Sequence, residues 1–287
     1  MAVTLITGCS SGFGLLSALR FAREGHEVFA TMRNTARAGE LEAARDAGSL
    51  PITVVELDVD DTGSVNKAVG EVLDRAGHVD VLVNNAGFGI SGPIEEFDVD
   101  AAKRVFETNV FGVLRVTQAV LPSMRERGSG AIVNVSSIAG VVSAPFGGIY
   151  AASKHALEAI SHALHYELHP FGIRIGVVEP GSFETRFGEN ATNTERFDQS
   201  SPYWELAERF HESLGRIGAG GASMGGTSAG ADPAAVVDVI YELATAPDPK
   251  PWRRLVGGDA EMIGTLRKQL DDDAFEQTMR EALDFWE

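Results

Sequence analysis

A single cysteine, Cys9, stands in 287 residues, which excludes an intramolecular disulfide and with it a secreted fold stapled by bridges. Basic residues are also scarce. Twenty-four Lys and Arg face 41 Asp and Glu, a formal charge of −17. That deficit argues against nucleic acid, whose binding needs cations to displace counterions, and against an anionic membrane surface. Long apolar runs are missing as well. The longest uncharged stretch, Gly128 to Ser153, is broken by Gly, Ser, Asn and Pro145, so no segment reads as membrane-spanning. The amino terminus has no basic lead-in and enters Val3 to Thr7 at once, a strand and not a signal peptide. The expectation is a cytoplasmic protein with no nucleic-acid or membrane partner.

What is present is an ordinary globular composition, 44% apolar and 23% charged, enough for a full core and too apolar for disorder. Short Val- and Ile-rich runs at 3–7, 27–31, 52–56, 79–84, 130–135, 173–178 and, more weakly, 253–256 alternate with helical periods at 13–24, 36–47, 62–76, 99–127, 150–169 and 233–246. Near-continuous apolar strands suit a parallel sheet buried on both faces. The alternation predicts an α/β fold: one domain over 1–287, a doubly wound parallel sheet of Rossmann type with helices on both faces. Regular alternation stops near Pro180. Residues 182–231 carry no clean period, include a Gly-rich, mobile stretch at 215–230, and read as a substrate-binding lid inserted in that domain. An acidic amphipathic helix, 271–287, closes the chain.

The first strand runs into Thr7-Gly8-Cys9-Ser10-Ser11-Gly12-Phe13-Gly14 and then a helix. Glycines there let the backbone approach a pyrophosphate, and the helix start offers N–H groups and a positive dipole end. The second strand ends Ala30-Thr31-Met32-Arg33. Met32 leaves no carboxylate for ribose hydroxyls, whereas Arg33 offers a fork for a 2′-phosphate, with the Ser10 and Ser11 hydroxyls in the facing loop. This favours NADP(H) over NAD(H). Arg37 is a weaker second choice, and Cys9, with no thiol partner, reads as packing.

Tyr150 and Lys154 share one helix face, and Ser137 lies thirteen residues before Tyr150 at the carboxyl end of a strand, where such sheets bind ligands. With Asp58, Asn84-Asn85-Ala86-Gly87, Asn109, Ser136-Ser137, Tyr150-Ala151-Ala152-Ser153-Lys154 and Pro180-Gly181, all in order over roughly the first 190 residues, the chain resembles the short-chain dehydrogenase/reductase family. It looks most like the NADP-preferring hydroxysteroid and retinol dehydrogenase branch, on Gly8 to Gly12, Ala30 to Asn34 and Pro145-Phe146. The resemblance implies a catalytic set of Asn109, Ser137, Tyr150 and Lys154. Tyr150 passes a proton to or from the substrate oxygen and Lys154 lowers its pKa and binds the nicotinamide ribose. Ser137 holds the substrate oxygen, and Asn109 holds a water in a relay to Lys154. It also implies cofactor contacts from Asp58 and Val59 at the adenine, Asn85, Ala86 and Gly87 along the cofactor, and Pro180, Gly181, Phe183 and Thr185 at the nicotinamide end. For Asp58 a helix-terminal carboxylate is an equal alternative. Ser136 is expected to bond structurally to the Asn84 region.

Phe88, Val142, Ser143, Phe183, Phe187, Phe197, Tyr203 and Trp204 form an apolar pocket set, suited to a hydrophobic ketone, aldehyde or alcohol. Glu184 and Arg186 could add a polar handle. His155, His162, His165 and His169 fall on one arc of the helix that carries Tyr150. No third ligand completes a metal site there, so no metal is expected, and the resemblance implies a subunit interface in a homodimer or homotetramer. Two other readings compete. A cofactor-sensing protein with a silent site would lack Tyr150 or Lys154, and both are present. An epimerase on the extended scaffold would have a longer carboxyl-terminal region.

Overall fold

Strand residues alternate between two apolar layers. In the computed structural model Ile6, Val28, Val83 and Val133 face one layer, and their neighbours Leu5, Phe29, Leu82 and Ile132 face the other. The described residues are 1–183, 185, 192–217 and 232–284; Glu184, Arg186, Phe187 and the Gly-rich residues from 218 onward lie outside them. The strands are β1 (Val3–Ile6), β2 (Glu27–Met32), β3 (Ile52–Glu56), β4 (Val81–Asn84), β5 (Ile90–Ser91), β6 (Gly130–Val135), β7 (Ile173–Pro180), β8 (Thr192–Asn193) and β9 (Arg253–Val256). Seven of them form one sheet in the order β3-β2-β1-β4-β6-β7-β9, every pair parallel. The strand order reverses between β1 and β4, the switch point beside which open α/β sheets bind ligands.

Helices cover both faces. On one side lie α1 (Gly12–Arg23), α2 (Gly39–Gly48) and α8 (Ala234–Thr245), through Leu15, Leu19, Leu41, Val236 and Ile240. On the other lie α3 (Thr62–Ala76) and α5 (Val113–Arg127), through Val65, Val69, Val116, Val120 and Met124, with Leu168 of α6 (Gly148–Leu168). Asp61 caps α3 by accepting the Ser64 N–H, and Asp98 caps α4 (Val99–Phe106). Among the described residues no helix is long and apolar enough to cross a membrane.

Two expectations need correction, and one helix was not expected. The helical period over 99–127 is not one α-helix: a π segment, Glu107–Gly112, joins α4 to α5 and holds Asn109. The stretch 182–231 is not devoid of regular structure: β8 pairs with β5, and α7 (Trp204–Ile217) buries Ala207 and Phe210. The α7 stripe is short and flanked by polar and Gly-rich chain, which hid its period. Phe210 packs with Leu283 and Met279 of α10 (Asp272–Leu283), and both helices rest on Ala144 and Phe146. Finally, α9 (Gly258–Gln269) carries two glycines and a mostly polar surface, so little in its sequence announced a helix.

Candidate active site

The carboxyl ends of β1 and β4 are fastened to each other. Thr7 Oγ1 accepts the backbone N–H groups of Asn85 and Ala86, each at 3.0 Å. The Asn85 side-chain amide donates to the carbonyls of Thr7 (2.9 Å) and Gly8 (3.1 Å). Asn85 thus spends its amide on shaping the glycine loop. Gly8 sits at φ +73°, and a β-carbon there would lie 2.9 Å from the Ala86 α-carbon. A β-carbon on Gly14 would run into the Gly8 carbonyl oxygen. The start of α1 carries no side-chain cap and no acidic residue in its first turn. This glycine cradle, backed by an uncapped helix start, fits an anionic group such as a pyrophosphate.

Around that cradle, Ser10, Ser11 and Gly12 are half-buried, and Phe13 meets Phe183 edge-on at 5.7 Å. A β-carbon on Gly12 would lie 3.6 Å from Thr185 Cβ. Arg33 is exposed just past β2 and its charge reaches Asp60, while Met32 is buried. Asp58 Oδ1 accepts the Asp60 N–H at 3.1 Å. The N-cap of α3 is Asp61, three residues after Asp58. Val59 is buried against Gly112, and its carbonyl accepts from Arg115 at 3.2 Å. Cys9 is fully buried and donates to the Ile6 carbonyl; burial pushes its thiol up to about 12, which leaves it unreactive.

Next to the cradle, Ser137 follows β6. Its oxygen accepts the Ala139 N–H at 3.1 Å, and its hydroxyl reaches toward the Pro180 carbonyl at 3.5 Å and the Tyr150 phenol. Burial pushes Tyr150 up to about 12, and the Ser137 contact acts against that rise. Lys154, 5% exposed, donates to the Val135 carbonyl at 2.9 Å, with Nζ 5.7 Å from the Tyr150 ring centre. Burial pushes its ammonium down to about 8, against the pull of Glu158. Asn109, buried in the π segment, accepts the Phe88 N–H at 3.0 Å and donates to the Phe88 carbonyl at 2.9 Å and to Ser153 Oγ at 3.1 Å. Gly87 fits between Asn109 and Lys154: a β-carbon there would meet Asn109 Oδ1 at 3.0 Å and Lys154 Nζ at 3.7 Å.

Ser136 does not serve the Asn84 region. Asn84 donates to Thr117 Oγ1 and Asn134 Oδ1, and the Ser136 hydroxyl faces Glu158 instead. Sequence reasoning also missed Asp259. Its buried carboxylate accepts the Ser182 N–H at 2.8 Å and fixes the Pro180–Gly181 turn, where any side chain on Gly181 would strike it. Only the Gly257-Gly258 pair just before it hinted at a constrained backbone.

An apolar wall stands nearby. Phe146 stacks on Phe197 at 5.9 Å, and Phe197 meets Trp204 at 5.5 Å. Phe88 packs with Ile90, Phe97 and Ile149; Val142 is half-buried and Ser143 exposed. The Tyr203 hydroxyl bonds Glu95. Of the four histidines, His165 stacks on Trp252 at 4.3 Å with His162 beside it, and His155 bonds the Ala151 carbonyl. Among the described residues no three His, Cys, Asp or Glu converge on a metal site.

Comparison with known proteins agrees with this geometry. The short chain dehydrogenase family model matches residues 2–196. The 3-ketodihydrosphingosine reductase of Bacteroides thetaiotaomicron is 40% identical over 212 residues, 74% of each chain. Human 17-beta-hydroxysteroid dehydrogenase type 1 is 37% identical over 94% of this chain and 81% of its own. A short-chain dehydrogenase structure from Streptomyces avermitilis superposes with a TM-score of 0.79 and 36% identity, over 99% of this chain and 97% of its own. A gluconate 5-dehydrogenase from Burkholderia cenocepacia in complex with NADP and tartrate gives 0.73 and 26%, over 91% and 95%. The chain therefore belongs to the short-chain dehydrogenase family, in its hydroxysteroid and retinol dehydrogenase branch, and is an oxidoreductase that acts on the CH–OH/C=O group with a nicotinamide cofactor.

Proposed function

We propose that the protein interconverts a hydrophobic ketone or aldehyde and its alcohol, with NADP(H) preferred over NAD(H). The observation that carries this reading is the meeting of the Tyr150 phenol, the Ser137 hydroxyl and the Lys154 ammonium beside the glycine cradle. A bound nicotinamide supplies or accepts the hydride. Tyr150 donates its proton to the carbonyl oxygen in reduction and takes it back in oxidation. A phenol pushed up to about 12 needs roughly 7 kcal/mol of selective phenolate stabilisation to work at neutrality. The charge of Lys154, buried with its Nζ 5.7 Å from the ring centre, supplies part of that, since charges act more strongly where little water screens them. Ser137 holds the substrate oxygen by hydrogen bond. Lys154 gives one N–H to Val135 and keeps others for the nicotinamide ribose. Asn109 holds Phe88 and Ser153 in place around Lys154 and sustains the relay to it.

In the same reading, the α1 start and the residues Gly8, Ser10, Ser11, Gly12, Phe13 and Gly14 hold the pyrophosphate. Arg33 takes the 2′-phosphate, and Asp58 and Val59 flank the adenine. Ala86 and Gly87 lie along the cofactor, and Pro180, Gly181, Phe183 and Thr185 border its nicotinamide end. Phe88, Val142 and the Phe146–Phe197–Trp204 wall take an apolar substrate body, and the segment 182–231, to which Phe197 and Trp204 belong, serves as lid. Relatives named for 3-ketodihydrosphingosine and for a 17-beta-hydroxysteroid support that class. Exposed Tyr166, beside His162 and His165 on α6, favours a homodimer or homotetramer joined along the histidine arc of that helix.

Fluorescence titration of cofactor-free protein with NADPH and NADH tests the proposal. NADPH is expected to bind at least about ten-fold tighter, a difference near 1.4 kcal/mol. Equal affinities would remove Arg33 from the cofactor set, and binding of neither would undo the reading at its base.

A further inference from the structure

Two carboxylates are buried behind the candidate active site, and the mechanism above uses neither. Glu158, 8% exposed, stands one helical turn after Lys154 on α6; Glu179, 6% exposed, stands on β7 just before Pro180. Arg253 on β9 is the cation that faces them. Its Nε lies 3.0 Å from Glu158 Oε2, and its Nη2 donates to the Glu158 carbonyl at 3.2 Å. The Ser136 hydroxyl also faces Glu158, His155 adds weakly from the same helix, and Lys268 of α9 acts on Glu179. Gly140 closes the space, since a β-carbon there would lie 2.8 Å from Ser136 Oγ and 2.9 Å from Glu158 Cγ. The result is a row of ionisable groups behind the site, Lys154, Glu158, Arg253 and Glu179, with Arg253 half-buried at its outer side.

Lys154 needs such a neighbour. It is a buried cation whose protein hydrogen bond goes to a neutral acceptor, the Val135 carbonyl. A buried ammonium without a counter-charge sheds its proton. A neutral Lys154 would no longer favour the Tyr150 phenolate. We propose that Glu158 is a positioning residue for the hydride-transfer site: its carboxylate, anchored by Arg253 one turn behind Lys154, keeps Lys154 in the ammonium form. The inference rests on the reading of Lys154 as the charge that tunes Tyr150. Burial pushes Lys154 down and Glu158 pushes it back up, in the sense required. Glu158 is itself raised by burial and restrained by Ser136, Arg253 and Lys154.

The chain has five lysines, 67, 103, 154, 250 and 268, so each can be followed in protein labelled with carbon-13 lysine. The signal that disappears in Lys154→Arg identifies Lys154. Its midpoint is then read by NMR across the alkaline range in wild type and in Glu158→Gln. A downward move of about one pH unit in the variant is expected. An unchanged midpoint overturns the proposal. If Glu158→Gln fails to fold, Glu158→Met keeps the side-chain length without leaving an unpaired amide, and the same outcomes apply. The alkaline limb of NADPH-dependent carbonyl reduction should move down with the lysine midpoint, whereas a purely structural Glu158 would lower Tm and leave both midpoints in place. Should wild type reduce no carbonyl, the functional reading falls, and the lysine midpoint still decides the role of Glu158.

Discussion

Asn109 and Phe88 clasp each other by two hydrogen bonds, Phe88 N–H to Asn109 Oδ1 at 3.0 Å and Asn109 Nδ2 to the Phe88 carbonyl at 2.9 Å. The clasp joins the π segment to the chain that leaves β4, and it brackets Gly87 against Lys154. Replacing Asn109 by Ala leaves both Phe88 backbone groups without a protein partner. The expected outcome is a loss of about 1–3 kcal/mol in stability, read by urea unfolding, together with lower kcat. Unchanged stability and turnover would show that the clasp is dispensable.

Gly14→Ala should abolish cofactor binding. The new β-carbon would press on the Gly8 carbonyl and the Asn85 amide, so the loop must open where the backbone has to meet the pyrophosphate. NADPH fluorescence titration checks this; the account expects no saturable binding from a variant that still unfolds cooperatively.

Arg33→Ala should weaken NADPH binding by about ten-fold or more, the worth of a charge-assisted hydrogen bond, and leave NADH binding alone. Equal losses for both cofactors would point to a disturbed loop rather than a lost phosphate contact.

The fold was legible because its signals are local. Apolar runs such as Val81–Asn84 and Gly130–Val135 have their own period, and the loop from Thr7 to Gly14 has the spacing that an anion cradle needs. Tyr150, Lys154 and Ser137 stood out through their spacing only in company with the glycine loop and the family resemblance of the surrounding motifs. What stayed hidden depends on contacts far apart in sequence. Asp259 acts on Ser182 across 77 positions, and Arg253 meets Glu158 across 95. No local pattern marks such partners. The π segment was hidden because it is one short stretch, Glu107–Gly112, inside a long run that is helical throughout.

Glu179 gives a stability signature in pH. Burial, with Glu158 adding, raises it from 4.5 to about 7. The folded protein therefore binds the extra proton between those values, and stability falls as pH rises through that window. The loss at pH 8 amounts to about 3 kcal/mol for the full shift. Glu179→Gln should flatten the decline, so that its urea midpoint at pH 8 exceeds that of wild type. A variant with the same decline as wild type would assign the pH dependence elsewhere.

The most direct measurement is NADPH oxidation by Tyr150→Phe with a hydrophobic ketone that wild type reduces, set beside NADPH binding by the same variant. The phenyl ring keeps the bulk of the side chain and removes the hydroxyl that would carry the proton. The account predicts wild-type NADPH affinity with turnover lower by about 10²–10⁴-fold. Turnover close to wild type would contradict it, because the proton would then come from another group.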